Sequence, residues 1–205
     1  MSKLILQMQV SIDGYVDSTV PGSRWQQWNW GDPWPWTPDL RADFNTALAD
    51  AAGIVLSRPM VDDGYLAHWR QTGEDHPEHS DYDFARCIGD LPKYVLSQAR
   101  QPQTEWPRTT VLNGDFSGSI ERAKRDAGGD LLCFGGASFA NALLRSNLVD
   151  EMQLFTNPGL AGAGHRIFDA SLATSTYDAI GSTAYKCGIV VTRWAVLSSA
   201  ATANS

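Results

Sequence analysis

Leu131-Leu132-Cys133-Phe134-Gly135-Gly136-Ala137-Ser138-Phe139-Ala140 is the stretch on which the fold turns. Its first four residues are short and apolar, as a fully buried strand requires, and its last four open a helical pattern. Between them stands a double glycine. Glycine lets the backbone adopt positive φ and approach a neighbour closely, and the new helix presents free N–H groups and the positive end of its dipole at the same spot. A phosphate or diphosphate suits that geometry, and so does a tight turn that merely packs helix on strand. On spacing alone the two readings stand level, because this is neither a GxGxxG fingerprint nor a GxxxxGK[ST] loop.

The same alternation extends in both directions. Lys3 to Val10 reads as a first strand, closed by Ser11-Ile12-Asp13-Gly14, and Asp-Gly marks a turn. Residues 21–38 hold four prolines and two glycines, a loop composition. Pro38-Asp39 opens a helix with Leu40, Phe44, Ala47, Leu48 and Ala51 on one face. Strands follow at Ala52 to Ser57, Tyr94 to Ser97, Thr109 to Asn113, Asp130 to Phe134 and Glu151 to Asn157. Helical spacing fills Ser117 to Ala127 and Ala137 to Ser146, while the polar run 71–83 reads as an exposed loop. Thr176 to Tyr185 and Gly188 to Leu197 form a closing hairpin. Strands alternating with helices predict an α/β fold: a mostly parallel central sheet of about eight strands with helices on both faces and a C-terminal antiparallel hairpin. Residues 3–197 are expected to form a single domain, with 198–205 a frayed tail.

Composition narrows the function. The 205 residues are 43% hydrophobic and 19% charged, enough to bury a core. Sixteen basic against 23 acidic residues leave a formal net charge of −7, which argues against nucleic acid or an anionic membrane as a partner recognised by bulk charge. Three scattered cysteines suggest neither a disulfide framework nor a zinc pattern. No signal peptide or membrane-length apolar run is visible, so the expectation is a soluble cytoplasmic protein. Five of the eight tryptophans, Trp25, Trp28, Trp30, Trp34 and Trp36, fall within twelve residues. Such flat rings suit a planar ligand, a lid, a subunit contact or a core.

In an open α/β sheet ligands bind beyond the carboxyl ends of the strands. Three more strand ends carry candidate groups: Ser57-Arg58, where a guanidinium fork suits a phosphate; Ser97, a hydroxyl; and Asp13-Gly14, a carboxylate beside the Trp-rich loop. His76 and His79 sit in a polar segment broken by Pro77, without the rigid frame a metal needs, so no metal is expected. His165 follows Gly162-Ala163-Gly164, a loop that either approaches a ligand or turns the chain.

Taken in order, six motifs resemble those of the reductase (C-terminal) domain of the bifunctional riboflavin-biosynthesis protein, a family with the dihydrofolate reductase fold. They are Gln9-Val10-Ser11-Ile12-Asp13-Gly14, Val55-Leu56-Ser57-Arg58, Leu91-Pro92-Lys93-Tyr94-Val95-Leu96-Ser97, Phe134-Gly135-Gly136-Ala137, Leu148-Val149-Asp150-Glu151, and Asn157-Pro158-Gly159-Leu160 continuing to Phe168. The resemblance implies an NADPH-dependent reductase of a small planar heterocycle, pterin- or pyrimidine-like, within the family of 5-amino-6-(5-phosphoribosylamino)uracil reductases. It implies that Arg58 and Ser97 sit by the adenosine 2′-phosphate, that Gly135, Gly136, Ala137 and Ser138 hold the diphosphate, that Asp13 and Gly14 lie near nicotinamide and substrate, and that Ser57 and Gly14 are among the cofactor contacts.

Asp13 is the first candidate for the acid and Asp32 the second, with Trp28, Trp30 and Phe134 as substrate contacts. A homodimer is expected. Two departures stand out: Ser57-Arg58-Pro59-Met60 replaces the usual Gly-Arg-x-Thr, and Phe134 replaces a glutamate before the double glycine. They motivate an alternative, a catalytically inactive nucleotide- or ligand-binding protein on the same fold.

Overall fold

The computed structural model describes residues 2–29, 34–98, 106–168, 172 and 176–196. Eight strands form one sheet in the order β4-β3-β2-β5-β1-β6-β8-β7. They are β1 (Leu4–Ser11), β2 (Gly53–Ser57), β3 (Lys93–Leu96), β4 (Thr109–Leu112), β5 (Leu131–Cys133), β6 (Glu151–Asn157), β7 (Tyr177–Ala184) and β8 (Val190–Val196). All neighbours from β4 across to β6 run parallel, and β8 and β7 are antiparallel. The connecting helices are α1 (Pro38–Ala49), α2 (Arg58–Asp62), α3 (Tyr65–Asp75), α4 (Asp83–Asp90), α5 (Phe116–Asp126) and α6 (Ala137–Arg145).

The two-residue period of each strand divides the core into two layers. Leu4, Leu6, Met8 and Val10 of β1, Val55 of β2 and Leu131 and Cys133 of β5 face α5 and α6. Ile54, Leu56 and Leu132 point the other way, toward α1, α3 and α4. On that second face β1 presents Gln7 and Gln9 rather than further apolar residues, and this polar strip becomes the floor of the cleft.

Several elements are held at their ends by charge. Asp150, before β6, accepts the Leu4 N–H at 2.7 Å and pairs with Lys124 Nζ of α5 at 2.7 Å, fixing the start of β1 against a helix. Lys93, almost wholly buried, donates to the Gly89 and Leu91 carbonyls at 2.7 and 2.9 Å, satisfying groups left open at the end of α4. Burial lowers its pKa.

The polar run 71–83 is not the open loop its composition suggests. α3 continues through it to Asp75 and packs on α4, where a Cβ on Gly73 would lie 3.3 Å from Arg86 Cγ. A 3-10 turn, Ser80–Tyr82, then leads into α4, with His76 stacked on Tyr82 at 3.9 Å. Both histidines of this segment serve its packing: His79 Nδ1 accepts the Asp81 N–H at 3.3 Å. The tail 198–205 lies outside the described residues.

Candidate functional site

At the end of β5 the chain turns through Gly135 (φ +82°) and Gly136 (φ +65°) into α6. The first intrahelical bond is Ala140 N–H to the Gly136 carbonyl, 2.9 Å, so the N–H groups of Ala137, Ser138 and Phe139 have no acceptor within the helix. No side chain caps them, since the N-cap is Gly136 itself. A Cβ on Gly136 would meet nothing within 4 Å, whereas one on Gly135 would lie 2.5 Å from Met8 Sδ. The first glycine lets the turn press onto β1, and the second leaves an open space in front of the free amides.

That space belongs to a cleft of about 1120 Å³, somewhat above the usual range of ligand sites, roughly 300–1,000 Å³. Its aromatic wall is Trp36, Phe44, Tyr65, Trp69, Phe134 and Phe155, and Gln7 and Gln9 supply neutral polar groups. Among the described lining residues there is no lysine or arginine; Asp17, Asp63, His68 and His165 are the ionisable groups besides Tyr65. Burial pushes the Tyr65 phenol up, so it stays neutral.

The loop after β6 closes one side. It lies along the turn after β1: Val16 N–H donates to the His165 carbonyl (2.9 Å), Thr19 N–H to Ala163 (3.0 Å), and Tyr15 bridges to Arg166. Both aspartates of the turn grip this loop. Asp13 accepts the N–H groups of Ala161 (3.0 Å) and Gly162 (2.8 Å). Asp17 accepts the His165 backbone N–H and meets its ring Nδ1, each at 2.6 Å. Gly164 permits the approach, for a Cβ there would sit 2.5 Å from the Asp17 carbonyl oxygen. Desolvation raises the Asp17 pKa, but the His165 amide and ring outweigh it and the carboxyl ends below its ordinary value.

Of the residues singled out from sequence, this cleft gathers Ser57, Phe134, Gly136, Ala137 and Ser138, with Gly135 immediately behind. Asp13 is not among its walls. The Ser11 hydroxyl, ahead of the Ala161 and Gly162 amides, holds its pKa down at about 2, so at neutral pH it has no proton to give and acts as the clamp of a loop. Gly14 is likewise structural: its φ is +82° and its carbonyl accepts the Ile167 N–H at 3.1 Å. Arg58 stands outside the lining, with Nε on Asp62 at 2.7 Å. Ser97 is buried, its N–H on the Leu112 carbonyl at 3.0 Å.

Trp28 is a correction of a different kind. It is 2% exposed and enclosed by Trp34 (centroids 4.3 Å apart), Trp36, Trp69 and Phe84. A ring that size gains most from complete burial, and Trp36 alone of the described cluster reaches the cleft wall. With Trp25, Trp28, Trp34 and Trp36 all buried, these rings offer no surface to a partner subunit. Trp30 and Asp32 lie outside the described residues. Sequence reasoning missed Asp17 altogether and left His165 open; the only signal was a carboxylate four residues beyond Asp13 and a histidine after a glycine-rich turn.

These features define an α/β protein of the dihydrofolate reductase-like fold, with a cleft at the carboxyl ends of its parallel strands. The chain belongs to the family of the RibD C-terminal domain, whose model matches residues 2–191. It is similar to the uncharacterised protein YyaP of Bacillus subtilis, 25% identical over 171 residues that make up 81% of this chain and 80% of YyaP. Among solved structures it resembles a protein of Shewanella sp. PV-4 named for riboflavin biosynthesis, with a TM-score of 0.66, 17% identity, and 96% and 99% of the two chains covered. A pyrimidine reductase-like protein of Corynebacterium diphtheriae aligns at TM-score 0.58 and 14% identity over 96% and 92%. The riboflavin biosynthesis reductase of Saccharomyces cerevisiae aligns at 0.58 and 13% over 96% and 90%. No helix among the described residues is long and apolar enough to cross a membrane.

Proposed function

We propose that the protein is an NADPH-dependent reductase of a small, flat, uncharged heterocycle. The observation that carries the reading is the uncapped glycine turn into α6, which opens onto an aromatic-walled cleft at the strand ends. The residues present fit the cofactor. The free amides of Ala137, Ser138 and Phe139 and the space before Gly136 suit a diphosphate, and Ser57 lines the same cleft. Arg58, next along the chain, would take the 2′-phosphate on leaving Asp62.

When bound, the nicotinamide supplies hydride chemistry. The chain's own contribution is to seat the acceptor ring at the apolar wall where Phe134 meets the half-buried Tyr65 and Phe139 comes in from α6, to offer it Gln7 and Gln9, and to keep water from its apolar faces. Phe134 supplies a flat contact where the riboflavin enzymes' glutamate would supply an acceptor, and the lining arginines and lysines a substrate phosphate would need are missing among the described residues. A neutral pterin-like ring suits this lining better than a phosphorylated pyrimidine.

The test is a titration with NADPH and NADH followed by tryptophan fluorescence, since Trp36 and Trp69 line the cleft. Quenching by NADPH at micromolar concentration supports the reading; no response to either nucleotide sinks it. Binding without oxidation across a panel of pterins and carbonyl compounds would favour the inactive binding protein instead. We also propose a homodimer, for β7 is one of the sheet's two edges and its Ile180 is exposed; light scattering decides.

A further inference from the structure

We propose that His165 is the proton donor of this reduction and that Asp17 is its positioning residue. The inference rests on the reductase reading and names the acid that reading lacks, since Asp13 is spent on the loop.

The geometry is that of an oriented acid–base group. Asp17 fixes His165 twice, through the backbone amide and through ring Nδ1, both at 2.6 Å. A carboxylate on Nδ1 assigns that nitrogen the proton in the neutral ring and leaves Nε2 as the working atom. The dyad is held in place by the backbone bonds from Val16 and Thr19, by the Asp13 clamp on Ala161 and Gly162, and by the glycine at 164. Both residues line the cleft into which the free amides of α6 open.

The other ionisable groups nearby are less suited. Arg166, next to His165, is turned onto the Asp13 carbonyl and the Tyr15 hydroxyl at 3.0 and 3.1 Å. Across the cleft, Tyr65 holds its proton too firmly at neutral pH, His68 packs edge-on against Trp69 at 4.4 Å, and Asp63 has no comparable orienting partner described. The His165 side chain is 66% exposed, so solvent can return a proton after each cycle.

The step balances. With a C=N acceptor, carbon receives a hydride, the π electron pair moves onto nitrogen, and that nitrogen takes the proton from His165 Nε2. The imidazole, left neutral, recovers a proton from water. Oxidation of the cofactor by two electrons matches reduction of the C=N bond by two.

The experiment uses the full chain, NADPH, and 7,8-dihydropterin as the probe acceptor, with His165→Gln and Asp17→Asn. Both variants are expected to bind NADPH within about threefold of the parent by tryptophan fluorescence. His165→Gln should lose roughly 10²–10³ in single-turnover rate, within the range of general acid catalysis. It should also flatten the parent's pH–rate profile, a change that a merely structural role would not produce. In ¹⁵N NMR of the protein without ligands, His165 should be the Nδ1–H form when neutral, and Asp17→Asn should abolish that preference.

A His165→Gln enzyme with parental rate and pH profile overturns the proposal. So does a parent that binds NADPH, does not reduce dihydropterin, and shows no response of the His165 nitrogens to the two compounds together. Failure of the parent to bind NADPH is the separate result that removes the reductase reading itself.

Discussion

The two faces of the sheet are built from different materials. Under α1, α3 and α4 the core is a raft of rings: Trp28, Trp34, Trp36, Phe44, Trp69, Phe84, Phe134 and Phe155. Under α5 and α6 it is aliphatic, with Leu4, Leu6, Val55, Ile120, Leu131, Leu143 and the small Ala123 and Ala140. The difference teaches how one cleft acquires two kinds of wall. Small residues let α6 sit close to the sheet and press its glycine turn onto Met8, whereas the plates on the other face pack into an apolar wall, with Trp36 and Phe155 stacked and buried behind it and Phe134 meeting the half-buried Tyr65. The ring face bears a cost, because Trp34 Nε1 and Trp36 Nε1 are buried without a hydrogen-bond partner. Damage to the ring face should therefore unfold the protein or spoil substrate use, and damage to the α6 turn should spoil cofactor binding.

The severest test is Trp28→Ala. Truncating a fully enclosed aromatic costs about 3–5 kcal/mol. At roughly 2–4 °C per kcal/mol for a chain of this size, that lowers Tm by about 6–20 °C. Leu143→Ala, buried on the aliphatic face, should cost about 2–5 kcal/mol by the same cavity argument. Were Trp28→Ala to keep its Tm and lose only substrate turnover, the ring would belong to the cleft and the contrast between the faces would break.

Gly135→Ala comes next. A left-handed φ costs an L-residue about 1–2 kcal/mol, and the new Cβ would push aside the flexible Met8 side chain. NADPH affinity should fall about tenfold as the turn tilts the amides of α6, with Tm down by only a few degrees. Met8→Ala in the same chain should return part of the stability but not the affinity. Recovery of both would mean that the turn serves packing alone.

A smaller effect separates the clamp from the chemistry. Asp13 has its folded pKa depressed to about 2, chiefly by the Ser11 hydroxyl and then by the Ala161 and Gly162 amides. Its contribution to stability is therefore complete above the ordinary carboxyl value, near 3.8, and is lost as pH falls from there toward about 2. Asp13→Asn should be less stable than the parent at neutral pH and lose less between pH 4 and 2 in urea titrations. A parallel pair of pH curves would show that the carboxylate does not hold the loop.

How far the sequence disclosed all this follows the range of the interactions. Short apolar runs located β2 and β5, and β6 falls on Glu151–Asn157 as predicted, because the composition of a strand buried between two layers is local. α4 escaped notice: eight residues after a polar run give little periodicity, and its helical state depends on packing against α1 and α3. At the cleft, Gly135 and Gly136 were legible because a turn between strand and helix is written in consecutive residues. The Asp17–His165 pair was not, for its members lie 148 residues apart and meet only when two loops fold together. Nor could composition tell Trp28 in the core from Trp36 on the wall, since both satisfy the same pattern of large rings among prolines.

The finest distinction concerns the cofactor's second phosphate. Arg58 is bound to Asp62 one turn along α2, with its side chain 35% exposed, and an ion pair of that kind is worth at most about 1 kcal/mol. A phosphate offers the guanidinium two oxygens and more charge than one carboxylate does, so it should win the exchange. Arg58→Ala is then expected to weaken NADPH about five- to tenfold, leave NADH and Tm unchanged, and so reduce the preference between them. Asp62→Asn, which removes the competing carboxylate, should strengthen NADPH binding about two- to fivefold. Loss of affinity for both nucleotides in Arg58→Ala would place the arginine at the diphosphate. An unchanged ratio in both variants would leave the preference to the α6 side of the cleft, and the division of labour between the two faces would extend to the whole cofactor.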